Sequence, residues 1–178
     1  LDEDALKAAL AEFANEFETS QTNRALDFQT AIDPQETYVL YDKSQLAQCL
    51  WKLLDNAVDH ASKDRQAPQV RLALRRDEDA GFCVVTVADN GPGISKAALS
   101  KIFEPFYTTR KEGSGLGLYI ARQLCEANQA ELTVDSEPGE GAGSDSPVSG
   151  GTGGATGVVA QAASVRARPT RTAVPQSP

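Results

Sequence analysis

The feature that most constrains this chain is an apolar strand pattern, FCVVTVA at 82–88, running directly into DNGPGI at 89–94. Such a strand must leave its sheet by a sharp turn. Gly91 and Gly93 permit one, and Pro92 stiffens it. QVRLALR at 69–75 is joined to this strand by the polar RDEDAG, so an antiparallel hairpin is the simple pairing. A second glycine-rich stretch, GSGLGLYI at 113–120, opens a helical pattern. Glycines just ahead of a helix expose backbone N–H groups at its positive end, which is either an anion site or a hinge.

The remaining elements follow from periodicity. Residues 1–17 read as a helix with Leu6, Leu10, Phe13 and Phe17 on one face. Residues 24–32 and 37–41 read as strands around a DPQE turn. A helix begins near Asp42, its expected cap, with Gln45 where a capping box places Glu or Gln. Its buried stripe is Leu46, Leu50, Leu53, Leu54, Ala57 and Ala61. A short helical segment is expected around 95–102, a loop through 103–115, a helix from about Leu116 to Ala127 and a strand at 131–135. From about residue 142 the chain lacks Leu, Ile, Phe, Tyr and Trp. Residues 142–178 are therefore expected to be a disordered low-complexity tail, too poor in apolar surface to offset ordering entropy.

With 178 residues and 40% apolar content, the chain is long enough for one domain with a proper core. No run reaches the length of a membrane span, and the acidic helical N-terminus is unlike a signal peptide, so a cytoplasmic segment without membrane contact is expected. The net charge of −8 argues against a nucleic-acid surface. A single nucleotide is still compatible, because its charge is met locally. The three cysteines, Cys49, Cys83 and Cys125, lie far apart without CxxC spacing, which predicts buried reduced thiols and gives no support for a redox sensor.

Four places carry candidate chemistry. Lys52, Asn56, Asp59 and His60 share the helical face opposite the apolar stripe. A solvated polar face is the reading preferred for Asp59 and His60, whereas the Asn56 amide oxygen suits a hard cation such as Mg²⁺. Asp89, at a strand end, is either part of a plain turn or an acceptor for an exocyclic amine such as adenine N6. Gly115 and Gly117, with the Ser114 hydroxyl, are phosphate candidates. No Lys-Ser/Thr follows these glycines, and the spacing is not GxGxxG, so neither a P-loop nor a Rossmann site is supported. Between the glycine stretches, Phe103, Phe106 and Tyr107 are expected anchors. Arg110 and Lys111 are either phosphate cations or simply exposed.

An Asn helix (LLDNAVDH), DNGPGI, FEPFYTTR and GSGLGLYI in this order resemble the catalytic ATP-binding domain of sensor histidine kinases, within the superfamily that includes gyrase, the mismatch-repair ATPase and a heat-shock chaperone. The likeness covers roughly residues 20–141 and is nearest to kinases of the nitrogen-regulation and pilus-expression type. It implies an α+β fold, a two-layer α/β sandwich with a mixed, mostly antiparallel sheet and helices on one face. ATP would lie between the Asn helix and a lid at 104–116. By position, Asn56 is the implied Mg²⁺ ligand. Asp89, Gly91, Gly93 and Ile94 form the adenine motif, and Phe103 and Phe106 are the F-box aromatics. Gly113, Ser114, Gly115, Leu116, Gly117 and Leu118 form the phosphate motif, while Gly139 and Gly141 match only the start of a third glycine motif.

The resemblance also implies domain boundaries and partners. Residues 1–17 would end a linker from a dimerisation domain, and 18–141 would be the catalytic domain. The histidine phosphoacceptor would stand on that separate dimerisation domain, and a response regulator receiver domain would act downstream. Three departures stand out. Lys52 occupies a position where such kinases usually carry a second metal-binding Asn. His60, the single histidine, lacks the acidic neighbour of an acceptor motif. The family's closing strand is expected to be missing, replaced by the low-complexity tail. A non-catalytic nucleotide-binding module with an impaired Mg²⁺ site is the alternative function.

Overall fold

The computed structural model describes residues 2–21, 25–33, 37–62, 68–77, 82–110, 113–136, 161–167 and 169–172. In chain order the elements are β1 (Asp2–Ala5), α1 (Leu6–Ser20), β2 (Asp27–Ile32), β3 (Thr37–Tyr41), α2 (Lys43–Ala61), β4 (Gln69–Asp77), β5 (Phe82–Asp89), α3 (Lys96–Leu99), α4 (Gly117–Ala127), β6 (Glu131–Ser136), β7 (Gln161–Ala167) and β8 (Pro169–Thr172). Five strands form a mixed sheet in the order β2-β4-β5-β7-β6, in which only β2 and β4 run parallel. Three more, β1-β3-β8, make a small antiparallel sheet. This is the expected α+β sandwich, with the small sheet added. The expected helix at 1–17 is shorter at its start, because residues 2–5 pair with β3 instead.

Strand alternation sets which face is buried. Register pairs Leu72 with Val87, Leu74 with Val85, and Val85 in turn with Val165, which pairs with Leu132. These side chains share one face and pack with Leu50, Leu53 and Leu54 of α2 and Ala121 and Cys125 of α4 in a single core. Burying each such leucine contributes roughly 1.5–3 kcal/mol. At one edge of this core Phe17 packs against Phe28 and Trp51, with ring centroids 5.0 and 5.4 Å apart, and so fixes α1 against α2 and β2.

Asp42 caps α2, its side chain accepting from Gln45 N at 2.9 Å. The reciprocal half of the expected capping box is absent. Instead Asp42 N donates to Asn128 Oδ1 at 3.0 Å, and Asn128 Nδ2 donates to Gln45 Oε1 at 2.7 Å. The buried Asn128 just past α4 thereby ties the end of that helix to the start of α2, which sets the two helices side by side.

The tail departs from expectation. Residues 161–167 form β7, hydrogen-bonded between β5 and β6, and residues 169–172 form β8 beside β3. Composition counts side chains, but a strand between two others is held on both edges by its backbone. One core side chain in the right register, Val165 at 3% exposure, anchors it. The closing strand expected to be missing is thus supplied from further along the chain. Residues 142–150, Lys111, Gly139 and Gly141 lie outside the described residues.

Candidate nucleotide site

A cavity of about 480 Å³ opens between α2, the 92–95 turn, the 107–110 segment and the start of α4. Lys52, Asp55, Asn56 and His60 line it from α2, and Gly113 to Leu118 line it from the opposite side. The polar helical face and the second glycine stretch are therefore brought together. Asp55 was not singled out by sequence reasoning, although it lies three residues after Lys52 on the same face, which is the signal that would have found it.

Asp89 sits behind the cavity wall. Two-residue alternation from Val85 and Val87 turns its side chain toward the helix layer, where it is 1% exposed. Its Oδ1 accepts Gly91 N at 2.9 Å and lies 3.8 Å from His60 Nδ1. A buried carboxylate needs such partners. The turn itself is braced by Asn90, whose Oδ1 accepts Gln69 N at 2.9 Å, and by Ile94 N, which donates to Ser136 Oγ at 2.7 Å. A Cβ at Gly91 would come within 2.6 Å of the His60 carbonyl oxygen, so only glycine lets the turn press against the end of α2.

His60 corrects the expectation of a solvated face, whereas Asp59 keeps substantial solvent contact. The His60 side chain is only 14% exposed and lines the cavity beside Asp89. Asp59 forms an ion pair with Arg110, which reaches across from the lid segment. In this structure the Arg110 cation is therefore engaged by a carboxylate while still lining the cavity. Both partners keep substantial solvent contact, so the pair is worth at most about 1 kcal/mol.

The F-box aromatics part company. Phe103 packs against the core, with the Arg122 guanidinium 5.3 Å from its ring centroid. Phe106, expected to anchor, is 74% exposed and has φ of 66°. Its backbone does the anchoring, with Phe106 N donating to Gly115 O at 3.0 Å. Gly115 has φ of 67°, and a Cβ there would meet the Phe106 carbonyl carbon at 2.4 Å.

Gly117 is different, because a Cβ there would stand in open space on the cavity side. It is the first residue of α4, an eleven-residue helix with no side-chain cap at its N-terminus. The first turn of α4 therefore presents uncapped N–H groups to the cavity, the arrangement that accepts an anion. Asn56 and Asp55 offer oxygen donors across from it, which suits a hard cation taking its other ligands from phosphate and water.

Comparison with known proteins agrees with this geometry. Residues 41–155 match the family described as histidine kinase-, DNA gyrase B-, and HSP90-like ATPase. The chain belongs to that family. It is an ATP-binding domain of that family, and its curated relatives include sensor and sporulation kinases. It is 41% identical over 106 residues to the sensor protein kinase PilS of Pseudomonas aeruginosa, covering 60% of this chain and 18% of that protein. It is 32% identical over 136 residues to sporulation kinase A of Bacillus subtilis, covering 76% of this chain and 22% of the relative. The domain thus spans about a fifth of the length of these curated relatives. Among solved structures, the catalytic domain of histidine kinase ThkA superposes with a TM-score of 0.71 at 21% identity, covering 94% of each chain. Full-length ShkA in complex with AMPPNP gives 0.71 at 23% identity, covering 95% of this chain and 31% of that one. No helix among the described residues is long and apolar enough to cross a membrane.

Proposed function

We propose that this domain holds ATP between α2 and α4 and presents its γ-phosphoryl group to a histidine on a separate dimerisation domain, from which a response regulator receiver domain would be phosphorylated. The observation that carries the reading is the cavity itself. One wall is the Asn56 face, another is the uncapped start of α4, and a buried carboxylate stands behind the lining, 3.8 Å from His60 Nδ1.

In this reading Asp89 accepts a hydrogen bond from the adenine amine, while Gly91 and Gly93 keep the turn open for the ring. The N–H groups at Gly115 to Leu118 take the phosphates, and Lys52 and Arg110 add positive charge. Asn56, with Asp55 beside it, would hold Mg²⁺, whose chemistry is to neutralise the phosphates and orient them. The domain itself supplies position and electrostatics, not a nucleophile. The incoming imidazole nitrogen forms the bond to phosphorus as the bond to the ADP oxygen breaks. His60, mostly buried beside Asp89, is not placed as that acceptor.

Lys52 distinguishes the chain. An ammonium cannot ligate a metal ion, but on the cavity wall one turn before Asn56 it can pair with phosphate directly. ATP binding here is therefore expected to depend less on Mg²⁺ than an amide at this position would make it. Calorimetric titration with ATP, with and without Mg²⁺, tests binding and metal dependence together. Lys52→Asn should strengthen the Mg²⁺ dependence, and an unchanged dependence refutes the role given to Lys52. Transfer of phosphate to a cognate dimerisation domain supports the kinase reading, whereas binding without transfer supports a non-catalytic module.

A further inference from the structure

Cys49 of α2 and Cys125 of α4 are separated by 76 positions in sequence, yet their sulfur atoms lie 3.6 Å apart in the core. Both are 0% exposed. The Tyr41 hydroxyl donates to Cys125 Sγ at 3.9 Å, and the Cys49 thiol also lies 3.8 Å from the Ala121 carbonyl oxygen. We propose that Cys49 and Cys125 form an oxidisable dithiol, which a small hydroperoxide converts to a disulfide that resets the spacing of the two helices framing the nucleotide site.

The pair is chemically asymmetric. Its hydrogen bond to Cys125, reinforced by burial, holds the Cys49 thiol protonated well above its ordinary range. The same contact pulls Cys125 below its ordinary value, against the effect of burial. The Tyr41 hydroxyl donates to Cys125 Sγ while the Cys49 thiol has the Ala121 carbonyl oxygen as acceptor, which marks Cys125 as the attacking sulfur and Cys49 as the resolving one. The Cys125 thiolate attacks a peroxide oxygen, the O–O bond breaks, and the departing alkoxide or hydroxide takes a proton. The peroxide is reduced by two electrons, and Cys125 becomes a sulfenic acid. Cys49 sulfur then displaces the hydroxyl from Cys125. The S–S bond forms, the S–O bond breaks, and the Cys49 proton leaves with the hydroxide as water.

Bond formation must bring the sulfurs from 3.6 Å to about 2.05 Å, a shift that helix packing on both sides has to follow. The closed loop, from 49 to 125, contains every candidate nucleotide contact from Lys52 to Leu118. Because both thiols are buried, oxidant reaches them through local opening between α2 and α4, so the reaction is slow and favours a reagent near the size of water. Cys83, buried on β5, is an internal control.

The experiment is to treat the reduced protein with hydrogen peroxide, quench, unfold and count alkylatable thiols by mass spectrometry. The count should fall from three to one, with a Cys49–Cys125 linked peptide and recovery on addition of dithiothreitol. The Cys83→Ala variant should lose both of its remaining thiols, and Cys125→Ala should lose neither of its own. Retention of three thiols, oxidation confined to Cys83, or over-oxidation without the linked peptide overturns the proposal. ATP affinity of the oxidised protein should fall roughly fivefold or more and return on reduction, and an unchanged affinity overturns the link to the site. That last clause rests on the proposed function. If the reduced protein binds no ATP, the function fails, while the thiol count still decides the disulfide.

Discussion

The two ends of the cavity are built in opposite ways. At the Asp89 end the sheet does the holding. The carboxylate is buried at the end of β5, Gly91 N and Asn90 lock the turn, and Ser136 on β6 reaches over to Ile94. At the other end, the second glycine stretch is held to the 103–110 segment by the Phe106–Gly115 backbone contact, and that segment is held to α2 by the Arg110–Asp59 ion pair, with exposed loop between. A base needs a fixed, shape-matched slot, and a rigid end provides one before the ligand arrives. On the proposed function, phosphates would be presented to a second domain, and an end that can adjust suits that task.

The largest effect should follow from changing the rigid end. Asp89→Asn keeps an oxygen that can accept from Gly91 N, so the turn should stand. It removes the charge that a ligand amine would meet, and hydrogen bonds to charged groups are worth about 1.5–3 kcal/mol. ATP affinity should therefore drop roughly 10- to 100-fold with little change in melting temperature, as calorimetry and thermal unfolding would show. Unaltered affinity would mean that Asp89 only shapes the turn.

At the adjustable end two glycines separate structure from binding. Gly115→Ala forces a side chain into the Phe106 backbone at a positive φ, and should loosen the lid by roughly 1–3 kcal/mol. Faster amide exchange at 103–116 would report it. Gly117→Ala meets open space, so the fold should be unaffected or slightly stabilised. If that space belongs to phosphate, ATP binding should still fall severalfold, enough to detect by titration. Equal loss of stability in both variants would contradict the difference between the two positions.

Much of this contrast was legible in the sequence, for physical reasons. Helical period exposed the α2 stripe, and strand alternation with turn formers gave the β4–β5 hairpin and the DNGPGI turn. The fates of Phe103 and Phe106 were not legible, because identical side chains differ here only by a left-handed backbone that the Gly115 contact imposes. Nor was β7, since Ala and Ser carry no burial signal and the strand is specified by the two edges that receive it. Ser164→Pro tests that reading. It removes a backbone donor where β7 lies between Thr86 and Thr133, at a cost of roughly 1–3 kcal/mol for the stranded partner alone. Because β5 carries Asp89, the Asp89 end should weaken with it while amide exchange at 103–116 stays as it was.

The smallest effect belongs to the ion pair that ties the adjustable end to α2. Asp59→Asn frees Arg110 from its partner across the cavity mouth. Both side chains keep substantial solvent contact, so stability should change by less than about 1 kcal/mol. Binding should improve, because Arg110 no longer has to leave a carboxylate before it meets a phosphate. A gain of up to about fivefold, disappearing at high salt, is the expected titration result. A loss of affinity instead would show that the Asp59–Arg110 pair holds the lid in its binding position, and the adjustable end would then be more preorganised than its exposure implies.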